Sequence, residues 1–108
     1  MSINIQNIIN SKVAAFHNEG LQIFILLEEA YAKKQTVEIS FEGLQRCSTQ
    51  FLNAAIGKMY LQYDPALLNS LIHYNFGTLQ NLLAKIEEVK ENAIDSKEYD
   101  TLLENATA

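Results

Sequence analysis

Hydrophobic and polar positions change period several times along the chain, and each change marks an element. Ile3 and Ile5 alternate with Ser2, Asn4 and Gln6; a period of two predicts a short edge strand with one buried face. From Asn7 to His17 the pattern is poor, and Val13, Ala14, Ala15 and Phe16 fit either a second short strand or part of a connection. Ile23, Leu26, Leu27, Ala30 and Tyr31 then recur at helical spacing, with Glu28, Glu29, Lys33 and Lys34 mostly elsewhere on the circumference. This predicts a helix from about Glu19 to Lys34 capped by Asn18. The run Ile23 to Leu27 alone would suit a buried strand, but the length of the pattern and its lack of proline decide for a helix.

Val37, Ile39 and Phe41 alternate with Thr36, Glu38 and Ser40, giving a strand that stops at Gly43. After the loop Glu42 to Ser48, a broad apolar stripe of Phe51, Leu52, Ala55, Ile56, Met59 and Tyr60 predicts a second long helix. Asp64-Pro65 is a capping residue followed by proline at the first helical position, which predicts a brief helical turn to Ser70. Leu71 to Phe76 reads as a strand with Ile72, Tyr74 and Phe76 on one face and His73 and Asn75 on the other. Gly77 ends it, Thr78 can cap the next element, and Leu79, Leu82, Leu83, Ile86 and Val89 mark an amphipathic helix. Asp95 and Glu98 have the spacing of a capping box ahead of Tyr99, Leu102 and Leu103, so a short final helix or frayed tail is expected over 95–108.

The order β, α, β, α, β, α is that of parallel strands joined by crossovers with helices packed on the sheet. The expected class is α/β, with a small mixed, mainly parallel sheet of roughly three to five strands flanked by helices. A length of 108 residues and a hydrophobic content of 48% fit one compact domain, taken as 1–94. Glu38 and His73, both in strands, suggest a sheet face that is incompletely covered or on which they find partners.

Charge and composition narrow the function classes. The net charge is −5 and the basic residues are scattered apart from Lys33-Lys34, so the patch that displaces phosphate counterions is missing and nucleic-acid binding is not expected. Acidic residues gather after Lys85, in Glu87, Glu88, Glu91, Asp95, Glu98, Asp100 and Glu104, as on a solvated helical face. The longest apolar run, Ile23 to Leu27, is far short of the roughly 20 residues a membrane span needs, and no signal core follows a basic start. A cytoplasmic location is expected. With one cysteine there is no internal disulfide to support secretion, and the sequon Asn105-Ala106-Thr107 carries no weight in such a chain.

No catalytic or metal-binding spacing stands out. Nucleophilic chemistry would need Cys47 to meet His17 or His73, and local sequence brings neither near it. Cys-x-x-Cys, His-x-x-x-His and EF-hand spacings are missing, as are phosphate-cradling glycine loops; neither a metal nor another cofactor is expected. The segment Arg46-Cys47-Ser48-Thr49-Gln50 remains, between a strand end and a helix start, where backbone N–H groups and the helix dipole favour an anion. Ser48 or Thr49 can cap that helix, and an ordinary capping turn accounts for the same residues.

Thr36-Val37-Glu38-Ile39-Ser40-Phe41-Glu42-Gly43-Leu44 followed by Ser48-Thr49-Gln50-Phe51-Leu52-Asn53 resembles the STAS-like family of bacterial proteins, related to STAS domains of anti-sigma-factor antagonists and sulphate transporters. Asn18-Glu19-Gly20 is also similar to the family's pattern, and the resemblance covers roughly Phe16 to Phe76. It implies a non-enzymatic regulatory module that binds a kinase-like ATPase or an anti-sigma factor, with phosphorylation at the helix-start loop controlling that binding in the related branch. The Asp-Ser-Ser-Gly signature of that branch falls near Ser48-Thr49-Gln50-Phe51, so Ser48 replaces the acid and Gln50 occupies the usual acceptor position. Ser40 stands where the family's strand often has aspartate. Thr49 is then the first acceptor candidate and Ser48 the second. The expected binding segment is Leu44 to Phe51. The alternative is a structural homo-oligomer, for instance a homodimer, built on exposed aromatics such as Tyr60, Tyr63 and Tyr99.

Overall fold

The computed structural model describes the backbone of residues 1–79 and 81–107, and side chains as far as residue 97, Gln80 excepted. Strand β1 (Ser2–Asn4) leads directly into helix α1 (Ile5–Ile9). The alternation at Ile3 and Ile5 therefore does not continue as a strand. The Asn4 side chain accepts a hydrogen bond from the Asn7 N–H at 3.0 Å and caps a helix at Ile5 instead. Strand β2 (Val13–Ala14) takes the weakly patterned stretch, followed by α2 (His17–Ala32). Helix α2 begins two residues before the expected start. Its entry is held by the Glu19 carboxylate, which accepts from the Phe16 N–H at 3.2 Å, and Asn18 lies within the first turn rather than at the cap.

Strand β3 (Val37–Ser40) is followed by a turn at Phe41 to Leu44, closed by the Leu44 N–H donating to the Phe41 carbonyl at 3.2 Å. Gly43 adopts φ 83° at its third position, a conformation that disfavours any residue with a Cβ. Strand β4 (Arg46–Cys47) comes next, then one continuous helical rod made of α3 (Thr49–Leu52), a π-helical turn (Asn53–Gly57) and α4 (Lys58–Gln62). Asp64 caps α5 (Pro65–Leu71), its carboxylate accepting from the Ala66 N–H at 3.2 Å. Strand β5 (Ile72–Asn75) and the long helix α6 (Leu82–Thr107) complete the chain.

Two small parallel sheets result, ordered β1-β3-β5 and β2-β4, and every strand pairing among the described residues is parallel. In the larger sheet Ser2, Glu38 and His73 share one row, as do Ile3, Ile39 and Tyr74 and then Asn4, Ser40 and Asn75. Strand pleating sends alternate rows to opposite faces. One face is therefore polar, with Ser2, Glu38 and His73 exposed, and the other is apolar and faces the core. The expectation of an incompletely covered face at Glu38 and His73 is met, and β1 lies at the sheet edge as its sequence predicts.

The core is organised around the π turn. Ala54, Ala55, Ile56 and Gly57 are four consecutive buried residues, more than one face of an α-helix can present. They are all covered because the rod is gripped between α2 and α6. A Cβ on Gly20 would lie 2.6 Å from the Phe51 carbonyl oxygen and 2.7 Å from the Ala54 Cβ, so α2 meets the rod backbone to backbone. On the opposite side a Cβ on Gly57 would meet Val89 Cγ1 at 3.0 Å.

Helix α6 differs from its sequence reading at both ends. It starts at Leu82 rather than at a Thr78 cap, because Gly77 and Asn81 take positive φ of 61° and 62° and turn the chain twice before the helix. At the other end it runs unbroken through Asp95, with neither glycine nor proline to stop it. No second helix begins there; the Asp95–Glu98 spacing is simply an i, i+3 pair within one helix. The Glu98 and Tyr99 side chains and the 105–107 sequon's side chains lie outside those described. Among the described residues no helix is long and apolar enough to cross a membrane.

Candidate functional site

The five residues singled out by sequence span β4 and the first turn of α3, and the structure divides them. Arg46, Thr49 and Gln50 are exposed, Cys47 is buried and Ser48 is half-buried. Pairing of Val13 with Arg46 and of Ala14 with Cys47 fixes the segment in place, reinforced by the Gln45 N–H donating to the Lys12 carbonyl at 2.7 Å and the Ser48 N–H donating to the Ala14 carbonyl at 2.8 Å.

Ser48 is the cap of α3. Its hydroxyl accepts from the Phe51 N–H at 3.0 Å and donates to the Ala15 carbonyl at 2.8 Å. One side chain thereby joins the end of β2 to the start of the rod, using both its donor and an acceptor lone pair. Thr49 occupies the first helical position with its side chain exposed. The two hydroxyls that the sequence left interchangeable as caps thus differ: one is engaged inside the fold, the other is open.

Cys47 faces inward at 8% exposure. Burial pushes its thiol up to about 12, an effect that Lys85 partly opposes, so almost no thiolate is present at neutral pH. The two histidines are elsewhere: His73 is exposed on the polar face of the sheet, and His17 lines a separate groove of about 480 Å³ beside Asn53, Leu61 and Val89. No group of three or more His, Cys, Asp or Glu among the described residues is placed to hold a metal ion.

Arg46, Cys47 and Ser48 line one wall of a cleft of about 450 Å³ whose opposite wall is Leu79, Leu82 and Lys85. Thr49 and Gln50 lie outside it. Sequence reading missed Lys85 as a member of this region, and no local signal could have found it. It is remote from Arg46 along the chain, and only the docking of α6 onto the rod brings it to the cleft.

Two of the tyrosines proposed for a symmetric interface, Tyr60 and Tyr63, are otherwise employed. Tyr60 belongs to the core at 1% exposure, with its hydroxyl donating to Asn69 Oδ1 at 2.6 Å and the Lys90 ammonium 5.1 Å from its ring centroid. Burial, helped by Glu87, pushes its phenol up to about 12. Tyr63 is half-buried, donates to the Glu28 carboxylate and packs against Tyr31 with ring centroids 4.5 Å apart. Burial, helped by neighbouring Tyr60 and Glu87, also raises Tyr74, whose hydroxyl is enclosed. Helical spacing placed Tyr60 on the apolar stripe, and that signal outweighs its polar tip.

Comparison with protein families yields a match over residues 19–75 to the model described as a STAS-like domain of unknown function (DUF4325). Neither a curated protein nor a solved structure matches the chain. The matched span runs from the first turn of α2 through β3, the Gly43 turn, the capped rod and β5, the elements that build the candidate loop and most of the core. The chain belongs to the STAS-like domain family.

Proposed function

We propose that this chain is a non-catalytic regulatory module of a bacterial cytoplasm, which binds a kinase-like ATPase or an anti-sigma-type protein through the loop 44–51. The observation that carries this reading is the division of labour within that loop. Leu44, Cys47 and Ser48 anchor it to the core and to β2, while Arg46, Thr49 and Gln50 stand exposed at a fixed strand end and helix start. Held so, the exposed side chains are presented in one geometry, which lowers the entropic cost of docking. A buried, protonated thiol supports binding without turnover.

Thr49 is the point at which this surface is switched. A phosphate there would add about −1.5 to −2 charges at the first turn of α3, where the helix dipole favours it. Ser48 is a poor acceptor by comparison, because modifying its hydroxyl would break the cap and the link to Ala15.

Affinity purification from the native host with tagged wild type and Thr49→Glu, read by mass spectrometry, tests the reading. The expected result is an ATPase or sigma-regulator recovered with wild type and lost from Thr49→Glu, with phosphate mapped to Thr49 in a fraction of the bait. Unchanged partner affinity in folded Thr49→Glu and Arg46→Ala proteins would overturn it. Recovery of nothing but the chain itself from both baits would favour a homo-oligomer instead.

A further inference from the structure

We propose that the cleft between the β2–β4 pair and α6 receives an acidic, partly apolar peptide segment of the protein partner, an inference that rests on the interaction reading above and adds the chemistry of what is recognised. Electrostatics supply the first argument. The chain carries a net charge of −5, yet the cleft lining holds two cations, Arg46 from β4 and Lys85 from α6, and no carboxylate. Neither cation takes part in an ion pair among the described residues. Lys12, immediately before β2, adds a third basic residue to this end of the molecule. Opposed, unpaired cations above a partly apolar floor recruit and orient an acidic chain more strongly than cations scattered on a convex surface.

Exposed apolar groups supply the second. Val13, which lines the cleft, is 39% exposed. With half-buried Leu79 and buried Leu82 it gives the cleft an apolar part beside its two cations. An occupant that meets both features has carboxylates for Arg46 and Lys85 and apolar side chains for Val13, Leu79 and Leu82.

Recognition here is by side chains, not by addition of a strand to β2. The Ser11 hydroxyl accepts from the Val13 N–H and donates to the Val13 carbonyl, each at 3.1 Å. The backbone groups of Val13 that an incoming strand would use are already taken. A volume of about 450 Å³ accommodates a few side chains of a short segment rather than a whole element.

The test is a titration of the isotopically labelled full chain, followed by amide NMR, with a short synthetic peptide of glutamates interspersed with leucines. A matched peptide with lysine in place of glutamate serves as control. Shifts should concentrate at Arg46, Leu79, Leu82 and Lys85, affinity should fall on the order of tenfold in Arg46→Glu/Lys85→Glu and with added salt, and the lysine peptide should not bind. Both substituted side chains are exposed, so an unchanged spectrum elsewhere certifies the fold. Absence of binding, shifts confined to another surface, or equal binding by the lysine peptide or the double variant overturns the inference. Partner recovery from the native host separates the two readings: a partner retained by Arg46→Glu/Lys85→Glu but lost by Thr49→Glu overturns the cleft while leaving the loop switch standing.

Discussion

The seam between α2 and the π turn and the cleft beside β4 are built from opposite material. At the seam Gly20 brings two backbones together, and Ile23, Phe51, Leu52, Ala55 and Ile56 are each at most 1% exposed. At the cleft Arg46 and Lys85 have no ion-pair partner among the described residues, while Val13 stands in water. Ser48 lies on the border, bonded into the first region while lining the second. The difference teaches where to look for function in a small domain: where side chains are surplus to what folding uses, rather than where packing is best.

Substitutions can sharpen or break that contrast. The largest effect is expected at Gly20→Ala, because the nearest atom to the new methyl is the Phe51 carbonyl oxygen, 2.6 Å away, and backbone yields less readily than a side chain. A loss of about 2–3 kcal/mol in urea unfolding is predicted. A stability change below about 0.5 kcal/mol would mean that α2 and the rod are not fixed against each other, removing the rigid half of the comparison.

Alkaline pH should attack the same packed region next. Tyr60 is raised from 10.0 to about 12 and Tyr74 is raised as well, both chiefly by burial. The native state therefore favours the neutral phenols. Their contribution is fully present below pH 10 and declines as pH rises from there through about 12. Wild type should lose at least about 2 kcal/mol over that window relative to Tyr60→Phe/Tyr74→Phe, the part that Tyr60 alone supplies. Parallel pH profiles for the two proteins would show that neither phenol is sealed in the core.

Two neighbouring substitutions at the border should then separate structure from function. Ser48→Ala removes the cap of α3 and the bond to Ala15, and about 1–2 kcal/mol of stability should go with it in thermal or urea unfolding. Thr49→Glu, one residue on and exposed, should change stability by no more than about 0.5 kcal/mol while abolishing partner recovery. Equal stability effects at the two positions would erase the distinction between engaged and open hydroxyls.

Much of this arrangement is legible in the sequence because its physical causes are local. The alternation of Val37, Ile39 and Phe41, the stripe from Phe51 to Tyr60, and the Asp64-Pro65 start each depend on neighbours within a turn or two. The motif around Phe41 to Asn53 carries the family resemblance for the same reason. The continuation of α6 through Asp95 is not legible, because a capping box and an ordinary i, i+3 pair share one spacing, and only the helix on the preceding side distinguishes them. The start of α2 is obscured because Phe16 offers no side-chain cap; the helix entry is held from within by Glu19.

Local pattern and composition suffice for the α/β class, the strand and rod that frame the candidate loop, and the absence of a continuous basic tract. These follow from periodicity, capping chemistry and composition, which act over a few residues or over the whole chain. Tertiary structure alone decided that β2 pairs with β4, that Gly20 is the contact point for a π turn, and that Ser48 rather than Thr49 is consumed by the fold. It also brought Lys85 opposite Arg46. Such facts depend on backbones and charges that are distant along the chain and become neighbours only once helices dock, so no local pattern records them.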